Sequence, residues 1–307
     1  MIHFFKQRKA YIVFSSDYLV GVSTYGDHHS FDIFKYKRIR DLLISDKIVK
    51  PKQILQPQIA AFSDVALVHT EKYIQHIKDP ITVNQLLKIE INSLWDNTVL
   101  EYFLAVSGGT IYAACKALEY RKPVFNFGGG FHHAQPESAE GFCLINDVAI
   151  AIKKIKNKRK VNKVLIVDLD YHQGNGNLLI FKDDPTVFTF SVHADRWLEE
   201  EGQANKGILV DSDISNEDYL DLISRELDSI LEKFKPGIIF YIAGSDPYEK
   251  DELADMKIDR ETMLKRNMYV ISRANEIDTP IVILPGGGYG KDSWEIYYDF
   301  VKTTMTT

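Results

Sequence analysis

Cysteine is scarce: Cys115 and Cys143 are the only two in 307 residues. Two cysteines cannot build the disulfide framework that staples small secreted domains, and reduced thiols in a cytoplasm are the simplest account. No apolar run approaches the roughly 20 residues of a membrane span. Met1 to Lys9 set a short apolar patch ahead of Lys6, Arg8 and Lys9, the reverse of a secretory leader. An excess of positive charge is also missing. The formal net charge is -6, which argues against direct nucleic-acid binding. The one basic run, Lys153 to Lys163, reads as a solvated helix end and loop. There is no linker, low-complexity segment or internal repeat. The expectation is one domain over residues 1–307 in a cytoplasmic protein.

The chain has hydrophobic residues in plenty, at 45%, enough for a sizeable core. Tyr11–Phe14 reads as an opening strand. Helical spacing follows from Phe34 to Ser45, through the 50s and 70s, and from Ser93 to Leu118. Ser107-Gly108-Gly109 interrupts that last stretch and implies either close backbone packing or a break between two helices. From about 123 onward, strands at Val124–Asn126, Val164–Leu169, Val187–Val192, Ile238–Ala243 and Ile281–Leu284 alternate with helices. The helices are Leu144–Ile155, one after Ser215, and one over about 260–275. This alternation predicts an α/β fold, a mainly parallel sheet sandwiched by helices, with ligands bound beyond the carboxyl ends of the strands.

One stretch organises the rest. The apolar run Val164-Leu165-Ile166-Val167 leads into Asp168-Leu169-Asp170-Tyr171-His172-Gln173-Gly174-Asn175-Gly176. On an extended chain Asp168, Asp170 and His172 share a face, which makes a candidate metal site at a strand end. Other strand ends carry Gly128-Gly129-Gly130-Phe131-His132-His133, Ser191-Val192-His193, Gly244-Ser245-Asp246 with Asp251, and Pro285-Gly286-Gly287-Gly288-Tyr289. Singly, each has an ordinary reading as a loop, a buried histidine pair or an acidic surface. Jointly, on one edge of a parallel sheet, they converge on chemistry.

These motifs, with Gly141-Phe142-Cys143-Leu144-Ile145-Asn146-Asp147 and the early His29-Ser30-Phe31-Asp32, resemble the zinc-dependent histone deacetylase family, whose fold is arginase-like. The Gln173 and Asn175 variant of the central motif looks most like its class IV branch. The resemblance implies zinc ligands at Asp170, His172 and Asp251. Asp251 is preferred to Asp246 for lying five residues beyond the Asp of the Ala-Gly-x-Asp motif. It implies His133 as general base and then acid, His132 as its electrostatic support, and Tyr289 as hydroxyl donor to the oxyanion. Asp168 would orient His132, and Asn175, where most relatives have Asp, would orient His133. Phe142, Gly141 and Gly287 would line a substrate tunnel, with Trp197 a candidate for its opposite wall. A structural potassium would use Asp168, Asp170, His172, Ser191 and Val192.

Two carboxylates and one neutral imidazole cancel a divalent charge and leave an open position, and because so oxygen-rich a site is less zinc-exclusive than a thiolate one, Fe2+ or Co2+ could replace Zn2+. The implied activity is hydrolytic removal of an acetyl or longer fatty acyl group from lysine, in a protein or peptide. The alternatives are a deacylase of small acylated amines such as acetylpolyamines, an arginase-like two-metal ureohydrolase, and a non-catalytic acyl-lysine binding module.

Overall fold

The computed structural model describes residues 10–19, 32–88, 98–158, 160–199 and 202–307. Eight strands form one sheet: β1 (Tyr11–Val13), β2 (Ile54–Leu55), β3 (Val124–Asn126), β4 (Val164–Asp168), β5 (Val187–His193), β6 (Asn205–Leu209), β7 (Ile238–Ile242) and β8 (Ile281–Leu284). Their order is β2-β1-β3-β8-β7-β4-β5-β6, and every pairing is parallel. This is the predicted α/β architecture. β2 and β6 were not expected from the sequence: β2 has two residues, and β6 is a half-exposed edge strand without a clear apolar alternation.

Alternate strand residues feed two cores. Leu165 and Val167 of β4, with Ile239 and Tyr241 of β7, enter one; Val164, Ile166, Ile238, Phe240 and Ile242 enter the other. Both faces are therefore apolar, which explains why these strands read as continuous hydrophobic runs. Each fully buried Leu, Ile or Val contributes about 1.5–3 kcal/mol.

Ten helices are found among the described residues: α1 (Lys35–Ser45), α2 (Phe62–Val65), α3 (Glu71–His76), α4 (Pro80–Leu87), α5 (Thr98–Tyr120), α6 (Asp147–Asn157), α7 (Asn175–Phe181), α8 (Asn216–Phe234), α9 (Arg260–Glu276) and α10 (Ser293–Thr306). The starts of α6, α8 and α9 are capped by Asn146, Ser215 and Asp259, whose side chains each accept a backbone N–H of the first turn. Helix α5 runs straight through Gly108 and Gly109, so the packing alternative holds. A Cβ on Gly108 would lie 2.0 Å from the Gln58 carbonyl oxygen, and one on Gly109 1.7 Å from the Tyr18 hydroxyl. By length and composition α5 could cross a membrane, contrary to the expectation that no segment would, but 72% of its apolar window is buried within the protein.

The topology brings distant motifs together. Four adjacent strands, β3, β8, β7 and β4, present at their carboxyl ends the Gly128–His133 turn, the Pro285–Tyr289 loop, Gly244–Asp246 and Asp168–His172.

Candidate metal and acid-base site

β4 ends at Asp168, so Asp170 and His172 stand in the turn beyond it. Asp170, His172 and Asp246 have ligand atoms that all lie within 4.8 Å of one another. His172 Nδ1 is 3.2 Å from Asp170 Oδ1 and 3.2 Å from Asp246 Oδ2. Asp251, expected as the third ligand, is not in this cluster; Asp246 takes its place. Both Asp251 oxygens are engaged elsewhere, by the backbone N–H groups of Tyr289 at 2.7 Å, Gly290 at 3.3 Å, Leu253 at 2.9 Å and Ala254 at 3.1 Å. A carboxylate bound to four backbone donors is a loop anchor, and here it anchors the loop of Tyr289. Asp168, read from spacing as part of the same metal face, turns instead to His132.

The acids are held with little latitude. Asp170 accepts from Gly287 N at 2.7 Å and from His172 N at 3.1 Å, and Asp246 accepts from Tyr171 N at 3.0 Å. Beneath them lies Arg266, fully buried, which no motif had singled out. It donates to Leu169 O at 2.9 Å and Gly244 O at 2.8 Å, tying the ends of β4 and β7.

Burial pushes the Asp246 carboxyl up to about 7, and the charge of Asp170 adds to this. Burial works against a charged His172, yet its bonds to Asp170 and Asp246 raise it to about 11. The negative potential that attracts this proton is what a divalent cation would neutralise. The donor set of two carboxylate oxygens and one imidazole nitrogen, converging from two strand ends, fits such an ion.

Facing the cluster are the paired histidines. Gly129 and Gly130 take positive φ of 85° and 87°, and a Cβ on Gly129 would lie 2.3 Å from Asp147 Oδ2. This close approach lets buried Asp147 accept from Gly130 N at 3.1 Å and Phe131 N at 2.8 Å, which fixes the turn into His132. His132 Nδ1 meets Asp168 at 2.8 Å, and His133 Nδ1 meets the Asn175 amide oxygen at 2.7 Å. Burial depresses His132, but Asp168 and Asp170 overcome it and bring it to about 9. Burial, and the charge of His132, hold His133 well below the usual histidine range.

Tyr289 lines the same cavity as His132, His133, Asp170, Gly141, Phe142 and Gly287. Burial, then Asp170 and Asp246, keep its phenol protonated far above neutral pH, so it is an O–H donor. Its loop is clamped from below: Tyr297 Oη donates to Gly287 O at 2.6 Å or Pro285 O at 2.7 Å, and buried Lys35 donates to Gly288 O at 2.7 Å. Phe142 sits at φ 60°, and its ring lies 6.4 Å from that of Tyr289. Gly141 is required beside it, since a Cβ there would lie 2.1 Å from His133 Cδ2. Trp197 stacks on His133 with centroids 4.0 Å apart and planes 12° apart. Gln173 positions it, accepting from Trp197 N at 2.9 Å and Leu198 N at 2.7 Å. Ser191 pairs in register with Asp168 across β4 and β5, and its hydroxyl lies 2.9 Å from His193 Nδ1. Of the early motif, residues 29–31 lie outside the described residues.

The model of the family described as "Histone deacetylase domain" matches residues 29–303. The chain belongs to the histone deacetylase family. An uncharacterized protein of Picosynechococcus is 32% identical over 289 residues, covering 94% of each chain. Histone deacetylase 2 of Arabidopsis thaliana is 31% identical over 96% of this chain and 78% of its own length. Acetoin utilization protein AcuC of Staphylococcus aureus strain Mu50 is 28% identical over 88% of this chain and 74% of its own. Within this histone deacetylase family member, the matched segment takes in all the motifs the resemblance was built on, from His29 to Tyr289.

Proposed function

We propose that this histone deacetylase family protein hydrolyses acyl-lysine amides, taking acetyl or longer acyl groups, with zinc or another divalent cation held by Asp170, His172 and Asp246. One observation carries the reading: Asp170 of the Asp170–His172–Asp246 cluster, the His132–His133 pair and Tyr289 line one cavity. When bound, the cation polarises the amide carbonyl and acidifies water. The remaining work falls to side chains. His133, neutral and held at Nδ1, has Nε2 for taking a proton from the attacking water and returning it to the leaving amine. His132, charged beside Asp168, adds positive potential where negative charge develops. Tyr289 donates its O–H to the oxyanion. Phe142, Gly141 and Gly287 flank the lysine stem. Ile33, Tyr36, Tyr102, Phe103 and Phe131 also line the cavity and make an apolar surround for the acyl group. We place a potassium ion among the carbonyls of Asp168, Asp170, His172 and Val192 and the Ser191 hydroxyl, and the protein in a reducing cytoplasm, where Cys115 and Cys143 stay as free thiols.

The test is turnover on lysine peptides bearing acetyl, octanoyl and myristoyl groups, beside acetylpolyamines, with Tyr289→Phe as control. Turnover of peptides, lost in Tyr289→Phe, is the expected result. Turnover of acetylpolyamines alone would replace the lysine substrate by a small amine, and binding without turnover would leave an acyl-lysine binding module. Bound-metal analysis of Asp246→Ala and Asp251→Ala tests the ligand set: the first loses the ion and the second keeps it.

A further inference from the structure

Asn175 does not end the chain of contacts behind His133. Its amide nitrogen donates to Glu140 Oε2 at 2.6 Å, and that same oxygen accepts from Gln135 Nε2 at 2.9 Å. Asn175 is buried and Glu140 half-buried, so the contact is shielded on one side. Glu140 opens a tight turn, closed by Glu140 N to Cys143 O at 3.2 Å and Cys143 N to Glu140 O at 2.8 Å. The turn contains Gly141 and Phe142, so one short segment carries the carboxylate and the tunnel-lining ring.

An ionised carboxylate only accepts hydrogen bonds, whereas an amide can present either end. Glu140 therefore selects one orientation of Asn175, with nitrogen toward itself and oxygen toward His133. An amide oxygen in turn demands a donor at His133 Nδ1. The proton sits there, and Nε2 is left with its lone pair. The reversed amide would set oxygen against carboxylate and offer an N–H to His133 Nδ1. That would move the ring proton to Nε2 and leave no base. The cost of that error is known from serine proteases, where an amide in place of the orienting carboxylate lowers kcat by about 10⁴ through the wrong tautomer.

We propose that Glu140 is a positioning residue that fixes the His133 tautomer through Asn175. The catalytic consequence rests on the assignment of His133 as base; the tautomer itself does not. The arrangement also makes Glu140 and Asn175 a matched pair. Asn175→Asp alone brings two carboxylates together, while Asn175→Asp with Glu140→Gln restores a donor between them.

The experiment reads the tautomer first, by 15N NMR of the ring-labelled, metal-loaded full chain, with His133 signals assigned by their loss in His133→Phe. His133 should carry its proton on Nδ1 in the wild type, and Glu140→Ala should introduce the Nε2-protonated form. On the best acyl-lysine peptide, Glu140→Ala should lower kcat about tenfold with KM within about twofold, and Glu140→Gln should lower it less. Asn175→Asp should lose about tenfold alone and regain most of it when combined with Glu140→Gln. The proposal is overturned if His133 stays Nδ1-protonated in a folded Glu140→Ala, or if Asn175→Asp behaves alike with and without Glu140→Gln. A tautomer that responds while the wild type turns over no acyl-lysine supports the positioning role and sinks the deacylase reading.

Discussion

His132 and His133 are neighbours in sequence, both buried, with rings 4.0 Å apart, yet their surroundings drive them in opposite directions. His132 has Asp168 at 2.8 Å and rises to about 9; His133 has an amide at 2.7 Å and falls. His69 supplies a third case. It is buried, Asn146 N donates to its Nε2 at 3.0 Å, and burial takes it down to about 4. The comparison teaches that burial drives an imidazole toward its neutral form, and that nearby carboxylates, here Asp168 and Asp170, are what hold one charged against it.

Deleting each ring breaks the comparison most sharply. His133→Phe should lower kcat by about 10³-fold or more, His132→Phe by about 10²-fold, and both should retain metal by elemental analysis. Equal losses would mean that the two do not divide base and charge between them. Making the arms alike from the charged side, Asp168→Asn should drop His132 toward the ordinary range and lower kcat by about 10²-fold, read with the same peptide.

Making them alike from the neutral side has a smaller effect on rate and a larger one on pH. A base must be unprotonated, so activity falls as pH drops through its pKa, and the depressed His133 puts that limb below the usual histidine range. Asn175→Asp should move the limb to higher pH. An unmoved limb in the kcat/KM profile would remove the amide from the explanation. His69 gives the smallest and least local effect. Its folded pKa lies below the unfolded one, so the unfolded chain takes up the proton first and stability is lost as pH falls from about 6.5 toward 4. The loss is roughly 3 kcal/mol at full protonation, and His69→Gln should flatten the fall of Tm over that window.

The sheet was legible where both faces are buried, because β4, β7 and β8 read as apolar runs whichever way they face. β2 and β6 at the edges bury too little to leave that signature. Site residues on strand ends were legible as types, and the topology explains why: β3, β8, β7 and β4 are neighbours, so motifs more than a hundred residues apart share one edge. Choosing between Asp246 and Asp251 was not possible by counting, since it depends on where the chain turns after β7. There Asp251 N bonds Tyr248 O at 2.9 Å and sends its carboxylate to the Tyr289 loop. Glu140, Gln173, Lys35 and Arg266 were illegible as site residues because each acts through a backbone group or another side chain. Gln173 was noticed as a variant, but its hold on Trp197 needs the loop in three dimensions.

The buried guanidinium of Arg266 spans the carbonyls of Leu169 and Gly244. Like-charged acids would otherwise push the two strand ends apart, and a cation would have to draw them back. With that gap set by a permanent covalent cation, a metal bound by the proposed ligands would meet a gauge of fixed width. Ions of different radius would then have to adapt their bond lengths to the protein, and exchanging one for another should leave the sheet edge where it was.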